Sequence, residues 1–274
     1  MLKSIKFSAL ALASFLGASS AHAALIQNGS FEAEPSGNSM AFKHGGNSSI
    51  VSKDYATIVG GDKWGVWGSI PGWTSLYGDK IELQMNGLVE DSAVSFVKHV
   101  ETAFGSQYVE LDTHFYTRNA NGDKELGPAS NVGIYQTLEN LVIGATYELT
   151  FWYRARTSNA KDNTMNVFWS KDSDKANYNS NIAMTVDLNT DLSNHNAWQQ
   201  YTVKLTASDS KMAVGFGGAG DRAWSFAGFP DSKNGSQMGA LLDNVAMSQV
   251  SAPATGLLML SAAFGFALRR RKQA

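Results

Sequence analysis

Residues 133–156, GIYQTLENLVIGATYELTFWYRAR, constrain the fold more than any other stretch of this chain. From Tyr147 onward the side chains alternate strictly. Tyr147, Leu149, Phe151 and Tyr153 point one way, and Glu148, Thr150, Trp152 and Arg154 point the other. Period two in β-branched and aromatic residues makes a strand with one face on a core. Residues 134–138 read as its antiparallel partner, connected through 141–145, where Gly144 is free to take a positive φ. Two such strands belong in the middle of an all-β domain.

Other short β patterns follow the same rule. Residues 80–85, KIELQM, set Ile81 and Leu83 on one face and Glu82 and Gln84 on the other. Residues 55–59, 107–111, 165–169, 182–188, 200–206, 212–216 and 241–247 are further strands, most of them bounded by Asn, Asp, Gly or Ser. Residues 34–54, 60–72, 114–131 and 226–239 read as loops. Over 88–104, Val89, Ala93, Val97, Val100 and Phe104 recur at helical spacing behind Ser92, so a helix competes there with a strand. About ten short strands and glycine-rich connections predict an antiparallel β-sandwich rather than an α/β fold.

The two ends read as targeting segments. Residues 1–23 carry Lys3 and Lys6, an apolar run, and Ala21-His22-Ala23, the pattern of a secretory signal peptide with its cleavage site. Residues 250–274 begin Val250-Ser251-Ala252-Pro253, continue apolar to Leu268, and close on Arg269-Arg270-Arg271-Lys272. A helix over 250–268 would be about 28 Å long, just short of the roughly 30 Å of a bilayer core. The basic cluster would stay cytoplasmic and leave residues 24–249 outside. A buried core helix would not end in four positive charges.

Without its ends the chain is acidic. Of 22 Lys and Arg, two lie in the leader and four in the tail, leaving 16 against 24 Asp and Glu, a net charge near −8. That balance argues against nucleic acid or an anionic membrane as partner of the body. Zero cysteines exclude disulfides and thiolate metal sites. A body of about 225 residues buries a sufficient core without them.

Several islands, in order, resemble a known arrangement. They are LIQNGSFE (25–32), IPGW (70–73), KIELQ (80–84), GSQYVELD (105–112), YQTLENLVIGATYELTFWYRAR (135–156), WQQYTVKLTA (198–207) and LLDNV (241–245). Together they are similar to the galactose-binding-like jelly rolls of carbohydrate-binding modules and of DUF642-type exported proteins. The tail resembles the PEP-CTERM sorting signal, with Ser251-Ala252-Pro253 in place of the family's Pro-Glu-Pro. The first resemblance implies a structural calcium at Glu32 and Asp243, near the first and last strands; hard carboxylate and carbonyl oxygens suit that ion. The second implies an exosortase-type enzyme that removes the tail, with the membrane holding the precursor.

Candidate chemistry divides into a weak set and a stronger one. Gly215 to Gly220 fits G-x-G-x-x-G, yet Asp221-Arg222-Ala223-Trp224 behind it carries no helical face, so a strand-end loop is expected. Asn119, Asn121, Asp123 and Glu125 alternate like a calcium loop, but the glycine sits at the fourth position instead of the sixth. Glu82, Glu101, Glu110 and Asp112 offer carboxylates for glycoside hydrolysis, without sequence grounds to pair them across a cleft. His44, His99, His114 and His195 show no metal-ligand spacing.

The aromatics carry more. Trp64, Trp67 and Trp73 sit among glycines, as do Trp224, Phe226 and Phe229, and Trp152 stands on the polar side of its strand with Arg154 beside it. An exposed ring stacks on a sugar face while neighbouring amides and acids bond its hydroxyls. The resemblance assigns Trp73 to the core. The expectation is a non-catalytic, exported sandwich that binds glycan through Trp64, Trp67, Trp152, Trp224, Phe226 and Phe229. A structural or adhesive matrix protein is the alternative, and a hydrolase the third reading.

Overall fold

The computed structural model describes residues 24–42, 50–61, 63–78, 80–86, 102–112, 116–118, 124–126, 131–156, 160–187, 197–220, 224–226, 229–232 and 239–250. Their elements are β1 (Ser39–Phe42), β2 (Ile50–Lys53), α1 (Tyr55–Gly60), β3 (Trp64–Trp67), β4 (Ser69–Ile70), β5 (Trp73–Tyr77), β6 (Ile81–Met85), β7 (Gln107–Glu110), β8 (Tyr116–Arg118), β9 (Lys124–Leu126), β10 (Gly133–Leu138) and β11 (Thr146–Arg154). Then come α2 (Ala160–Asn163), β12 (Met165–Lys171), a 3₁₀ helix (Asp172–Ser180), β13 (Ile182–Val186), β14 (Gln199–Thr206), β15 (Met212–Gly218), β16 (Trp224–Phe226), β17 (Phe229–Ser232) and β18 (Leu241–Gln249).

Two six-stranded sheets form a β-sandwich, as the alternation predicts. The first has the order β13-β12-β15-β10-β5-β4, and the second β14-β11-β18-β7-β6-β3. Every pairing within them is antiparallel. From β10 onward the chain passes repeatedly between the sheets. Inward-facing rings join the two layers. Phe216 of β15 meets Phe151 of β11 at 5.2 Å and Trp73 of β5 at 6.1 Å, both edge-on, and Phe31 closes on Trp73 at 5.6 Å. Each such ring, fully buried, contributes roughly 1.5–3 kcal/mol. Trp73 donates its indole N–H to the Asn28 carbonyl at 3.0 Å, so the core position implied for it is the one it takes.

Several local expectations are corrected. Residues 134–138 do not pair with β11: β10 lies in the first sheet between β15 and β5, and β11 in the second between β14 and β18. The link from Glu139 to Ala145 instead crosses the end of the sandwich. Gly144 takes φ +81° there, donating its N–H to the Ala207 carbonyl at 2.8 Å, and the Val142 N–H reaches the Tyr147 hydroxyl at 2.8 Å. Residues 55–60 are helix α1 rather than a strand, because the Asp54 carboxylate caps the Thr57 N–H at 2.7 Å. Residues 60–72, expected as a loop, contain β3 and β4. Backbone hairpins β1–β2, β8–β9 and β16–β17 occupy parts of the other three expected loops.

The glycine motif straddles the end of a central strand, with Ala219 and Gly220 beyond it. Gly215 to Gly218 belong to β15, and a Cβ at Gly217 would overlap the Tyr77 hydroxyl. One at Gly133 on the neighbouring β10 would overlap the same ring. The glycines therefore make a trough on the outer surface of the first sheet. Tyr77 lies in it, donating to the Gly218 carbonyl at 2.8 Å and stacking on Tyr178 at 4.7 Å. Gly217→Ala is expected to cost about 1–3 kcal/mol by overpacking. Removing the hydroxyl in Tyr77→Phe should recover part of that loss in a double-mutant cycle by urea unfolding. Simple additivity of the two changes would contradict the trough.

Candidate functional site

Register decides which polar residues meet. On the second sheet, Glu82 of β6 lies directly opposite Glu110 of β7, and Gln84 opposite Tyr108. Trp64 of β3 pairs Gln84, and Leu241 of β18 lies between Glu110 and Arg154 of β11. Trp152 lies between Asp243 of β18 and Gln200 of β14. Since alternate residues share a face, Trp64, Glu82, Gln84, Tyr108, Glu110, Trp152, Arg154 and Asp243 all point away from the core. Glu82, Gln84, Tyr108, Glu110, Arg154 and Asp243 are nonetheless buried, while Trp64 and Trp152 are half-buried and Gln200 and Thr202 exposed. The surface is closed over β6, β7 and β18 and open toward β14.

Like charges directly opposite each other repel, so the Glu82–Glu110 pair needs a mediator. The Gln84 amide supplies one, donating to Glu82 at 2.8 Å and to Glu110. Arg156 forms an ion pair with Glu110, and the Gly239 N–H donates to the other Glu110 oxygen at 2.9 Å. Burial holds the Glu110 carboxyl well above the ordinary range; Arg156 pulls it down and Glu82 pushes it further up. Among the described residues, the Gln84 Oε1 acceptor and the Trp152 Nε1 donor of this surface are buried without a hydrogen-bond partner. An unmatched buried polar atom costs about 1–3 kcal/mol, and a ligand that matches it recovers that cost. Aromatic walls flank the row. Phe104 meets Trp152 edge-on at 5.5 Å, and Tyr108 meets Trp198 at 5.8 Å.

The six expected rings separate. Trp152 and Trp64 belong to this surface. Trp67 does not: it points into the core at 3% exposure, packing near Tyr55 at 6.5 Å, because β3 makes a regular edge strand where a loop was expected. Trp224, Phe226 and Phe229 fall on β16 and β17, whose side chains lie outside the described residues. Of the four candidate catalytic acids, Glu82 and Glu110 are neighbours on one sheet rather than opposed across a cleft, and Asp112 is buried in a bridge to Asn131. Glu101, the four histidines and the Asn119–Asp123 residues lie outside the described residues. Gln84, Tyr108, Arg156 and Trp198 were missed as site residues. The polar phase of KIELQM, opposite its core phase, was the available signal for Gln84.

Glu32 and Asp243 do come together, around one turn. Glu32 accepts the Ser106 and Gln107 N–H groups at 2.8 Å each and the Ser106 hydroxyl at 2.7 Å. Asp243 accepts the Phe104 N–H at 3.0 Å and the Asn244 N–H at 2.6 Å. Burial pushes the Asp243 carboxyl up to about 7 despite these N–H donors, and the Glu32 charge adds to the rise. Carboxylate oxygens retain lone pairs beyond these bonds, so the two acids suit a hard cation such as calcium as side-chain ligands. The Asn28 and Gly29 carbonyls are engaged, accepting from Trp73 and Phe31 and from Val245 respectively. Among the described residues no group of three or more His, Cys, Asp or Glu could hold a metal.

The leader with Ala21 and Ala23, and the tail from Ser251 through Ala252, Pro253 and Arg269 to Arg271, lie outside the described residues. Among those described, no helix is long and apolar enough to cross a membrane.

No family model matches the chain, and no curated protein does. Solved structures do resemble it. One described as "CBM4 structure and function" is 19% identical over 82% of this chain and 99% of its own, with TM-score 0.35. The K1 cleaved adhesin domain of Lys-gingipain from Porphyromonas gingivalis W83 is 16% identical over 69% of this chain and 92% of its own, with TM-score 0.35. TmCBM61, solved in complex with β-1,4-galactotriose, is 10% identical over 70% of this chain and 94% of its own, with TM-score 0.30.

Proposed function

We propose that this chain is an exported, non-catalytic β-sandwich that binds extracellular polysaccharide or glycan on the outward surface of its second sheet. The supporting observation is half-buried Trp152 beside exposed Gln200 and Thr202, at the open side of the row that runs from Trp64 through buried Gln84 and Glu110. Its Nε1 has no hydrogen-bond partner among the described residues. Rings for stacking and amide, acid and guanidinium groups for hydroxyls are what a sugar surface needs. Trp152, beside exposed Gln200, marks the side from which a chain of sugars enters. Glu32 and Asp243 hold a structural calcium in this reading, stiffening the 102–107 turn that carries Phe104 against Trp152. The leader directs export, and an exosortase-type enzyme processes the tail, leaving the body at the cell surface or released.

A glycan array and a polysaccharide pull-down with purified protein test the binding. Trp152→Ala should weaken retention at least about tenfold, the size of a stacked ring lost from a sugar contact. Its melting temperature should stay close to wild type. Trp67→Ala, by contrast, should lower stability first. Retention of no polysaccharide, or retention indifferent to Trp152, would remove the proposal; release of reducing sugar would replace it with a hydrolase.

A further inference from the structure

Three of the six large hydrophobic side chains exposed among the described residues gather at one end of the sandwich. They are Val142 at 55%, Ile143 at 65% and Val250 at 38% exposure. The Val250 N–H donates to the Thr146 carbonyl at 2.9 Å, and Ile143 lies three residues before Thr146, at most about 11 Å away along the chain. The turn holds its apolar pair outward firmly. The Ala145 N–H closes on the Val142 carbonyl at 3.0 Å, the Gly144 N–H on Ala207, and the Leu141 N–H on the Ser210 carbonyl at 3.0 Å. Nearby, Lys211 and Glu139 form an ion pair at 3.2 Å, and the Asp209 carboxylate accepts the Lys211 backbone N–H at 3.2 Å.

This is also the end from which the chain leaves. β18 runs to Gln249, and the apolar stretch toward Leu268 starts at the next residue. As a helix that stretch is about 28 Å long, against about 30 Å of hydrocarbon. Read as a span, that stretch leaves few residues between strand and bilayer. We propose that the Val142–Ile143 turn is a membrane-interface contact, seating the sandwich end-on against the lipid outside the cytoplasm while the tail is in place. The inference rests on reading residues 250–268 as a span. It also sets a height: Trp152 lies six strand residues beyond Thr146, about 20 Å above the lipid. The glycan surface would then stand clear of the headgroups.

The absence of cysteine makes a clean test possible. Ile143→Cys and Asp187→Cys each give one labelling site. Asp187 is exposed and follows Val186, which aligns with Met165 and Gly218 at the opposite end of the first sheet. The full chain carrying bimane at either site is reconstituted in phosphatidylethanolamine–phosphatidylglycerol vesicles and floated. Flotation reads the span itself. In floated protein the label at 143 should shift to the blue and be quenched by brominated lipid severalfold more than the label at 187. Equal quenching at the two sites in floating protein would overturn the contact, as would a blue shift in detergent that follows protein concentration, which would assign the patch to a second copy. Failure to float would overturn the span, and with it the contact. Val142→Ser with Ile143→Ser checks the contribution of the pair: the double variant labelled at Ser208, in the turn bonded to the same link, should lose the lipid quenching that the wild-type turn gives there.

Discussion

Arg156→Met is expected to destabilise the protein by about 3–5 kcal/mol, the cost of leaving a buried charge without its partner. The side chains of Arg156 and Glu110 are 10% and 1% exposed, so solvent cannot replace the guanidinium. The loss should depend on pH in a set direction. Burial already holds Glu110 above its ordinary range, with Arg156 the largest influence pulling it down. Without Arg156 the folded-state value rises further, and the folded protein keeps a proton that the unfolded chain releases. Stability of the variant therefore falls as pH rises from the ordinary glutamate range through the raised folded value. Urea unfolding at pH 4.5 and pH 8 should show the smaller deficit at the lower pH. Adding Glu110→Gln to Arg156→Met should return part of the loss at pH 8, because the amide oxygen still accepts from Gly239 and no charge is buried, although the new NH2 then faces the Gln84 donor. A deficit equal at both pH values and untouched by the second change would mean that Arg156 acts through packing alone.

The same pair shows where reading the sequence stops. Alternation in KIELQM and TYELTFWYR located β6 and β11 and sorted inward from outward residues correctly. It is a property of one strand, so it is silent about which strand lies alongside. That silence put 134–138 next to 147–154, although the two strands belong to opposite sheets and the link between them crosses an end of the sandwich. Alternation also suggests that the polar phase faces water, whereas Glu82, Gln84 and Glu110 are buried on their outward side. Their importance follows from register across three strands, which no local pattern encodes. Trp67 failed for a related reason. Glycines on either side suggested a loop, but Gly65 is there because a Cβ would collide with the Trp67 ring and with Ile58. α1 escaped because its β-branched residues favour strands and only the Asp54 cap speaks for a helix. Glu32 and Asp243, 211 residues apart in the chain, were paired by resemblance rather than by any spacing, and the structure does join them at one turn.

For that turn the expected result is a stability that declines between pH 4 and pH 7 and recovers with calcium. Asp243 titrates near 3.8 when unfolded and at about 7 when folded. Because the folded value is the higher, the folded state binds the extra proton across this window, and stability drops as pH climbs through it. A shift of that size corresponds to a loss of at most about 4 kcal/mol by pH 8. The readout is the difference in unfolding free energy between wild type and Asp243→Asn across the pH series, since a constant penalty from the amide cancels. That difference should move against wild type as pH rises. Calcium binds the ionised pair, so at a hundred times its dissociation constant it should restore about 2.7 kcal/mol to wild type at pH 8 and nothing to the asparagine variant. EDTA added to calcium-loaded wild type should reverse the gain. A flat difference across pH would deny the burial of the Asp243 charge, whereas a sloping difference without a calcium response would leave the acid pair as a latch for the 102–107 turn. In the latch case Phe104 still meets Trp152, and sugar binding would show no dependence on the metal.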